Sequence, residues 1–474
     1  MSRWFQNARV RRGLALGAVV LSTGGLVLYK APAQAHTPFA QVIASGKNVR
    51  EFSGPGVKGA ISLSHAKVLS GTPTTVFAEV RLAATADATD RLRERAPISM
   101  AVVIDTSGSM SGEKIAEARR SVLKLVQDMR DDDEIALVRY SDTSELVQSL
   151  ARVGLVRTQL ERKIRDLQPG GGTNIAPAMS HGRRALDEAS SGRVKRIVLV
   201  SDGLDATRQQ SESVARSSFE SGITVSSLGI GLDFDEGYMG SVAMNGHGNF
   251  AFVKDGASLA HFLNKELIET SSTTVEQARV KVRIPQGFTF ARSSGADARV
   301  TGDEVELVFG SLFVGDERRA IVELRATLPE GRAADLGATV SWTQVGGNRA
   351  SVDVPTLTVL AVRNQAEVER ARDGAVLASA VSVLASQRQL EAAEAYTHGD
   401  LDRATSLIDQ NVRALEEAKA AAPMAAATAL SNQADSYRSA KTGFSQAGPG
   451  SDEGRMRAKA SAAQEINNLS RKAF

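Results

Sequence analysis

Three short segments of this chain concentrate hard oxygen donors. The apolar run Ile-Ser-Met-Ala-Val-Val-Ile at residues 98–104 ends in Asp105-Thr106-Ser107-Gly108-Ser109. A buried strand that ends in a carboxylate, with two hydroxyls one residue apart behind it, delivers oxygen ligands to one point. Gly170-Gly171-Gly172-Thr173-Asn174 adds a threonine on a tight loop. A second apolar run, Ile197-Val198-Leu199-Val200, leads into Ser201-Asp202-Gly203. Carboxylates and neutral hydroxyls suit Mg²⁺, Mn²⁺ or Ca²⁺ rather than zinc or copper. Taken singly, Asp-x-Ser and Ser-Asp-Gly are ordinary caps and turns. Asp105, Ser107, Ser109, Thr173 and Asp202 taken together point to a metal site.

Competing chemistries fare worse. The chain has no cysteine, which excludes disulfides, thiolate zinc sites, a cysteine nucleophile and a lipoprotein anchor. Its histidines form no zinc-binding helix pattern, and there is no Walker loop or Gly-x-Ser-x-Gly elbow. Gly170-Gly171-Gly172 lacks the lysine of a phosphate cradle. Asp131-Asp132-Asp133-Glu134 lacks the alternating spacing of a calcium loop and is read as a solvated helix-to-strand turn. Asp233-Phe234-Asp235-Glu236 is read as the start of a short helix.

The elements around these residues must place the oxygens. From about residue 98 to 270, apolar strand candidates (98–104, 135–140, 146–150, 196–200, 223–229, 249–253) alternate with helix candidates (114–129, 158–167, 176–189, 211–221, 258–269). This pattern predicts an α/β fold, a doubly wound and mostly parallel sheet with helices on both faces. Ligands collect beyond the carboxyl ends of such strands, where Asp105 and Asp202 both fall.

Aspartate-x-serine-x-serine, then threonine, then aspartate resembles the metal-ion-dependent adhesion site of the von Willebrand factor type A family. Asp105, Ser107, Ser109, Thr173 and Asp202 match it in order. The resemblance implies such a domain over residues 97–272, with Mg²⁺ as the cofactor and Mn²⁺ or Ca²⁺ as alternatives. It implies direct coordination by Ser107 and Ser109, and direct or water-mediated coordination by Thr173 and the two aspartates. One position stays open for an Asp or Glu carboxylate of a protein partner. In relatives the domain's last helix, here residues 258–269, moves when the site changes its direct ligand.

The flanks read differently. Residues 1–35 carry basic residues, an apolar stretch and Ala33-Gln34-Ala35, the pattern of a secretory signal peptide cleaved before His36. An uncleaved membrane anchor is the alternative. Residues 36–96 are read as a linker, up to about residue 56, followed by strands. Residues 273–362 show period-two strands without helices, a β-sandwich signature that the strands before Pro97 are expected to share. The type A domain would then be inserted in, or flanked by, that sandwich. Residues 363–422 predict a helical hairpin. Val376, Leu377, Val381 and Leu384 line one face of its first helix, and His398-Gly399-Asp400 makes its turn. Residues 423–474 predict an Ala-, Ser- and Gln-rich helical or flexible tail.

The sequence pI of about 9.0 suggests a nucleic-acid binder, but Arg3, Arg9, Arg11, Arg12 and Lys30 carry that excess. Removing these five charges from the net of +3 leaves −2, so no nucleic-acid partner is expected. The expected protein is exported, periplasmic or extracellular, non-catalytic, and binds a protein partner through a divalent cation. The alternative is an envelope scaffold in which the metal only stabilises and the helical C-terminus makes the contact.

Overall fold

The computed structural model describes residues 48–85, 95–202, 205–231, 235–253 and 256–471. The segment read as a signal, residues 36–47, and Asp233 with Phe234 lie outside the described residues. The described chain opens with β1 (Val49–Gly54), β2 (Val57–Leu63), β3 (Lys67–Leu69) and β4 (Thr74–Ala84). Residues 49–54 are therefore strand rather than linker. β1 pairs antiparallel with β2, from Val49↔Ser62 to Gly54↔Val57. Gly54-Pro55-Gly56 is the turn of this hairpin, with Gly56 at φ 72°. Its glycines and proline bend the chain inside a sheet instead of loosening it.

The α/β part follows in the order β5 (Ile98–Asp105), α1 (Glu113–Asp128), β6 (Glu134–Tyr140), β7 (Ser144–Arg152), α2 (Val153–Arg165), α3 (Ile175–Asp187), β8 (Val194–Ser201), α4 (Arg208–Glu220), β9 (Ile223–Ile230), α5 (Glu236–Asn245), β10 (His247–Val253) and α6 (Gly256–Ser271). The sheet order is β10-β9-β8-β5-β6-β7, and β7 alone runs antiparallel to its neighbour. Every residue of β5 is buried. Ile98, Met100, Val102 and Ile104 face one core with α1, α2 and α6. Ala101 and Val103 face the other with α3, α4 and α5. Helices on both sides explain the unbroken apolar run. β5 lies between β6 and β8, so the chain leaves it in opposite directions on its two sides. That is the switch point of a doubly wound sheet, where strand ends open a crevice.

Two acidic segments are structural. Asp131 and Asp132 form an exposed turn, but Asp133 and Glu134 are buried, which corrects the solvated-turn reading for those two. Asp133 accepts from the Arg130 and Ile98 N–H groups and pairs with Arg95, while Glu134 accepts from Ser99 and Ser190. Asp235 caps α5, accepting from the Tyr238 N–H at 3.0 Å.

The last helix of this part, α6, is tied down by buried charge. Arg196 of β8 pairs with Glu266, which also accepts from Ser226 at 2.7 Å and from Asn249. Arg196, Glu266 and Asn249 are all buried.

Seven strands follow: β11 (Thr273–Arg283), β12 (Phe288–Ser294), β13 (Asp297–Thr301), β14 (Glu304–Phe313), β15 (Glu317–Ala326), β16 (Ala333–Gln344) and β17 (Arg349–Val362). They combine with the N-terminal strands into sheets ordered β1-β2-β4-β15-β12 and β13-β14-β11-β16-β17-β3. Leu63, Val80, Val280, Leu324 and Trp342 belong to one core shared by both sheets. The chain thus leaves a two-sheet body after β4 and returns to it with β11.

Sequence alternation in β4 suggests that Glu79 and Arg81 face water, yet both are buried. The helix α8 (Gly374–Thr397) covers that face. Glu79 pairs with Arg81 at 2.9 Å and accepts from Ser379 of the helix, while Arg319 donates to the same serine at 3.0 Å. Burial pushes the Arg319 guanidinium down to about 10.

The helical region holds α7 (Gln365–Arg370), α8, α9 (Leu401–Ala421), α10 (Met424–Gln446) and α11 (Asp452–Arg471). It is a packed helical unit rather than one hairpin with a tail. Asp400 caps α9, accepting from the Arg403 N–H, and Gly399 sits at φ 84°. The apolar face expected on α8 is not its main buried face. Leu377, Val381 and Leu384 are only half-buried, while Ala375, Ala378, Ser379, Ala380, Ser382 and Ala385 are buried. α8 lies between sheet and helices, so small side chains set its close approach on several sides. The helix α11 packs on α8 and also lends Ile466 to the core beside α5.

Glu465 of α11 is 2% exposed and accepts from the Tyr437 hydroxyl at 3.1 Å. Burial pushes its carboxyl up to about 7, although bonds with Ser386, Asn468 and Tyr437 pull the other way. A raised carboxyl contributes stability that is complete below its unfolded value and is lost as pH rises through about 7. Wild type should therefore lose about 3 kcal/mol between pH 4.5 and 8 that Glu465→Gln does not lose. Denaturant unfolding of both proteins across that range measures the difference. Parallel curves would refute the assignment.

Candidate metal centre

β5 and β8 are parallel neighbours, with Ile104 opposite Val200. Asp105 therefore stands level with Ser201, and Asp202 follows one residue beyond. Both aspartates are 0% exposed. The Asp105 carboxylate accepts from the Ser107 N–H at 2.8 Å on Oδ1 and from the Ser201 hydroxyl at 2.8 Å on Oδ2. Ser107 Oγ lies 2.9 Å from Ser109 Oγ, and Ser109 Oγ donates to Asp202 Oδ1 at 2.8 Å. Asp105, Ser107, Ser109 and Asp202 are thus joined in one hydrogen-bonded chain, through the Ser107 N–H on the Asp105 side and through the two serine hydroxyls on the Asp202 side.

The loop that carries Thr173 is tied to the loop that carries the serines. The Gly170 N–H donates to Thr106 O at 2.8 Å, and the Gly108 N–H donates to Gly171 O at 2.9 Å. The glycines have a steric cause. Gly171 has φ 82°, and a Cβ there would come within 2.3 Å of Asp142 Oδ2. A Cβ on Gly172 would come within 2.6 Å of Asp142 Oδ1. A side chain at either position would push the loop, and Thr173 with it, away from the serines.

Electrostatics favours a cation. Burial pushes the Asp105 carboxyl above its usual range. Bonds from Ser107 and Ser201 oppose the shift, and the charge of Asp202 adds to it. Burial also pushes the Tyr140 phenol well above its usual range, with the Asp105 charge adding to the effect. The Tyr140 carbonyl accepts from both the Thr106 N–H and the Thr106 hydroxyl, fixing the loop behind Asp105. Among the described residues no three His, Cys, Asp or Glu side chains group as a metal cage. This set has two carboxylates and relies on hydroxyls for the rest. That donor chemistry fits a hard divalent cation with retained waters.

Three residues around the set escaped the sequence reading. Lys114, in the first turn of α1, pairs with Asp202 through Oδ2. A cation at a helix N-terminus opposes the dipole, which was the available clue. Asp205 accepts from the Ile175 N–H at 2.6 Å, the Thr207 hydroxyl at 2.6 Å and the Tyr238 hydroxyl at 2.9 Å. It fixes the start of α3, two residues after Thr173. Asn174 Oδ1 is buried with no hydrogen-bond partner among the described residues. No one-dimensional pattern marks Asp205 or Asn174.

Comparison with known proteins names the domain. The family model for the von Willebrand factor type A domain matches residues 99–265, and the chain contains that domain. The chain is 30% identical over 226 residues to the uncharacterized protein YfbK of Escherichia coli, covering 45% of this chain and 38% of that one. It is 31% identical over 156 residues to inter-alpha-trypsin inhibitor heavy chain H2 of Mus musculus, covering 30% of this chain and 16% of that one. The chain thus spans well under two thirds of these two relatives. Among solved structures, a von Willebrand factor type A protein from Catenulispora acidiphila aligns with TM-score 0.70 at 16% identity, covering 90% of this chain and all of that one. The ArnB paralog VWA2 from Sulfolobus acidocaldarius aligns with TM-score 0.57 at 17% identity, covering 87% and 98%. At these identities the structures show the fold. Type A domains generally bind protein partners and are generally non-catalytic.

Asp205→Ala removes the acceptor that holds the first N–H of α3. The variant should lose about 1–3 kcal/mol of stability. It should also bind divalent cations more weakly, through the loosened Thr173 loop. Denaturant unfolding and Mg²⁺ calorimetry measure the two effects. Unchanged metal affinity in a destabilised variant would assign Asp205 to the fold alone.

Proposed function

We propose that this protein captures a protein partner through a divalent cation held by Asp105, Ser107, Ser109, Thr173 and Asp202. The observation that carries the reading is the hydrogen-bonded chain through Ser107 and Ser109 that joins two fully buried carboxylates at the strand ends of β5 and β8. Such a set supplies hard donors without filling six positions around Mg²⁺. Ser107 and Ser109 hold the cation directly, and Thr173 and the aspartates hold it directly or through water. The open position takes an Asp or Glu carboxylate of the partner. Mg²⁺ is the first choice, with Mn²⁺ and Ca²⁺ as substitutes.

Type A domains are generally non-catalytic, and the role proposed here is binding rather than turnover. The scaffold alternative is weaker, because α8 and α11 already spend buried faces on the two sheets and the type A domain. An exported location rests on the residue pattern of the first 35 positions. N-terminal sequencing of mature protein should then read from His36.

Asp105→Ala and the double variant Ser107→Ala/Ser109→Ala should remain folded, because β5 buries its apolar residues without them. Both should lose metal affinity by at least about tenfold, since each removes charge or direct oxygens from the shell. Thr173→Ala should weaken partner capture more than metal uptake. A pull-down from envelope extract with Mg²⁺ and with chelator supplies the partner readout, and calorimetry supplies the metal readout. Partner capture that persists undiminished in excess chelator would sink the proposal.

A further inference from the structure

Lys114 is the second residue of α1, where the positive end of the helix dipole disfavours a cation. It is nevertheless held there. Its ammonium donates to Asp202 Oδ2, and its side chain is 27% exposed against 0% for the aspartate. The turn just after β9 lies against it. Gly231, at the end of that strand, has φ 80°, and a Cβ there would lie 3.2 Å from Lys114 Cε and 3.4 Å from Nζ. A side chain on Gly231 would crowd the lysine. The two oxygens of Asp202 are divided, Oδ1 taking the Ser109 hydroxyl and Oδ2 taking the ammonium. The lysine can therefore stay while the Oδ1 side faces a cation.

We infer that Lys114 is a tethered counter-cation that lowers the metal affinity of this site and gives the metal-loaded site a net positive charge that selects an anionic partner. The inference rests on the divalent-cation reading above and names its regulation. Two carboxylates with one ammonium carry a formal charge of −1. A divalent cation raises this to +1. Without the lysine the loaded site would be neutral, and a partner carboxylate would gain less by binding. With it, each loaded site is left with one charge for a carboxylate to neutralise. The same pairing compensates Asp202 in cation-free protein, so chelation should not unfold the domain.

The test uses the full chain as wild type, Lys114→Met and Lys114→Arg. Methionine keeps the length of the side chain and removes its charge, and arginine keeps the charge. Mg²⁺ and Mn²⁺ titrations by calorimetry should show about tenfold tighter binding in Lys114→Met, as expected when a unit charge a few ångströms away is removed. Acetate titrated into the Mn²⁺-loaded protein should bind Lys114→Met several-fold more weakly. In chelator Lys114→Met should melt below wild type, and it should regain the difference when Mg²⁺ is added. Lys114→Arg should follow wild type in all three. Mg²⁺ affinity in Lys114→Met equal to or below wild type overturns the inference while leaving the metal site standing. A wild type that takes up neither cation overturns the metal reading and this inference together.

Discussion

Asp105 and Asp202 end neighbouring parallel strands, and neither is exposed to water. Two like charges in a region of low dielectric are costly unless opposite charge or hydrogen bonds compensate them. The surrounding structure can be understood as the means of that compensation. Ser107, Ser109 and Ser201 donate to the carboxylates, Lys114 supplies one positive charge, and the glycines of the 170–172 loop let that loop bond to the backbone of Thr106 and Gly108. None of these groups suffices alone. In the proposed role a divalent cation would complete the set, because its charge would balance both carboxylates where a lone ammonium balances one.

The geometry that makes this possible is set far from the site. The strands β5 and β8 must end at the same level, and their pairing fixes that register from Ile98↔Val194 to Ile104↔Val200. Buried side chains on both faces of β5 resist slipping, because a one-residue shift would exchange its two cores. Below, the two-sheet body holds the domain by both of its ends. The chain enters from β4 through residues that include Arg95, which pairs with buried Asp133, and leaves directly from α6 into β11. On the face of β4 and β15 turned away from the core shared by the two sheets, Glu79, Arg81 and Arg319 are buried under α8. Such a cluster adds little net stability, but it penalises any other placement of the helix, because each charge would lose its partner while still buried.

The α/β fold class was legible because Ile98 to Ile104 and Ile197 to Val200 are continuous apolar runs, which signal strands covered on both faces. Asp105, Ser107, Ser109 and Asp202 were legible as a group because they directly follow those runs. Lys114 and Asp205 were not, because their partners are 88 and 30 residues away in sequence. β1 was hidden by Gly54-Pro55-Gly56, whose composition suits a linker and a hairpin turn equally well. The packing of α10 and α11 was hidden by composition. Their buried positions include Ala434, Ala458, Ala462 and Glu465, which no hydropathy pattern marks as core. β4 misled in the opposite sense, since alternation cannot reveal that a later helix covers the polar face.

The resemblance implied that the last helix of the domain moves when the metal site changes its ligand. The packing of α6 sets the terms for such a motion. Glu266 is 0% exposed and holds Arg196, Ser226 and Asn249 on three strands at once. A slide of α6 along its axis would part these groups while leaving them buried, and breaking a buried ion pair costs about 3–5 kcal/mol. A cation or partner drives the motion only if it favours the displaced state by more than that, a preference of at least about a hundredfold. The loops that carry Ser107, Ser109 and Thr173 are held by hydrogen bonds rather than by a buried ion pair, and a bound cation would itself replace the bonds that Ser107 and Ser109 give to the carboxylates. In the proposed binding cycle, ligand exchange at the strand ends would therefore cost less than a slide of α6.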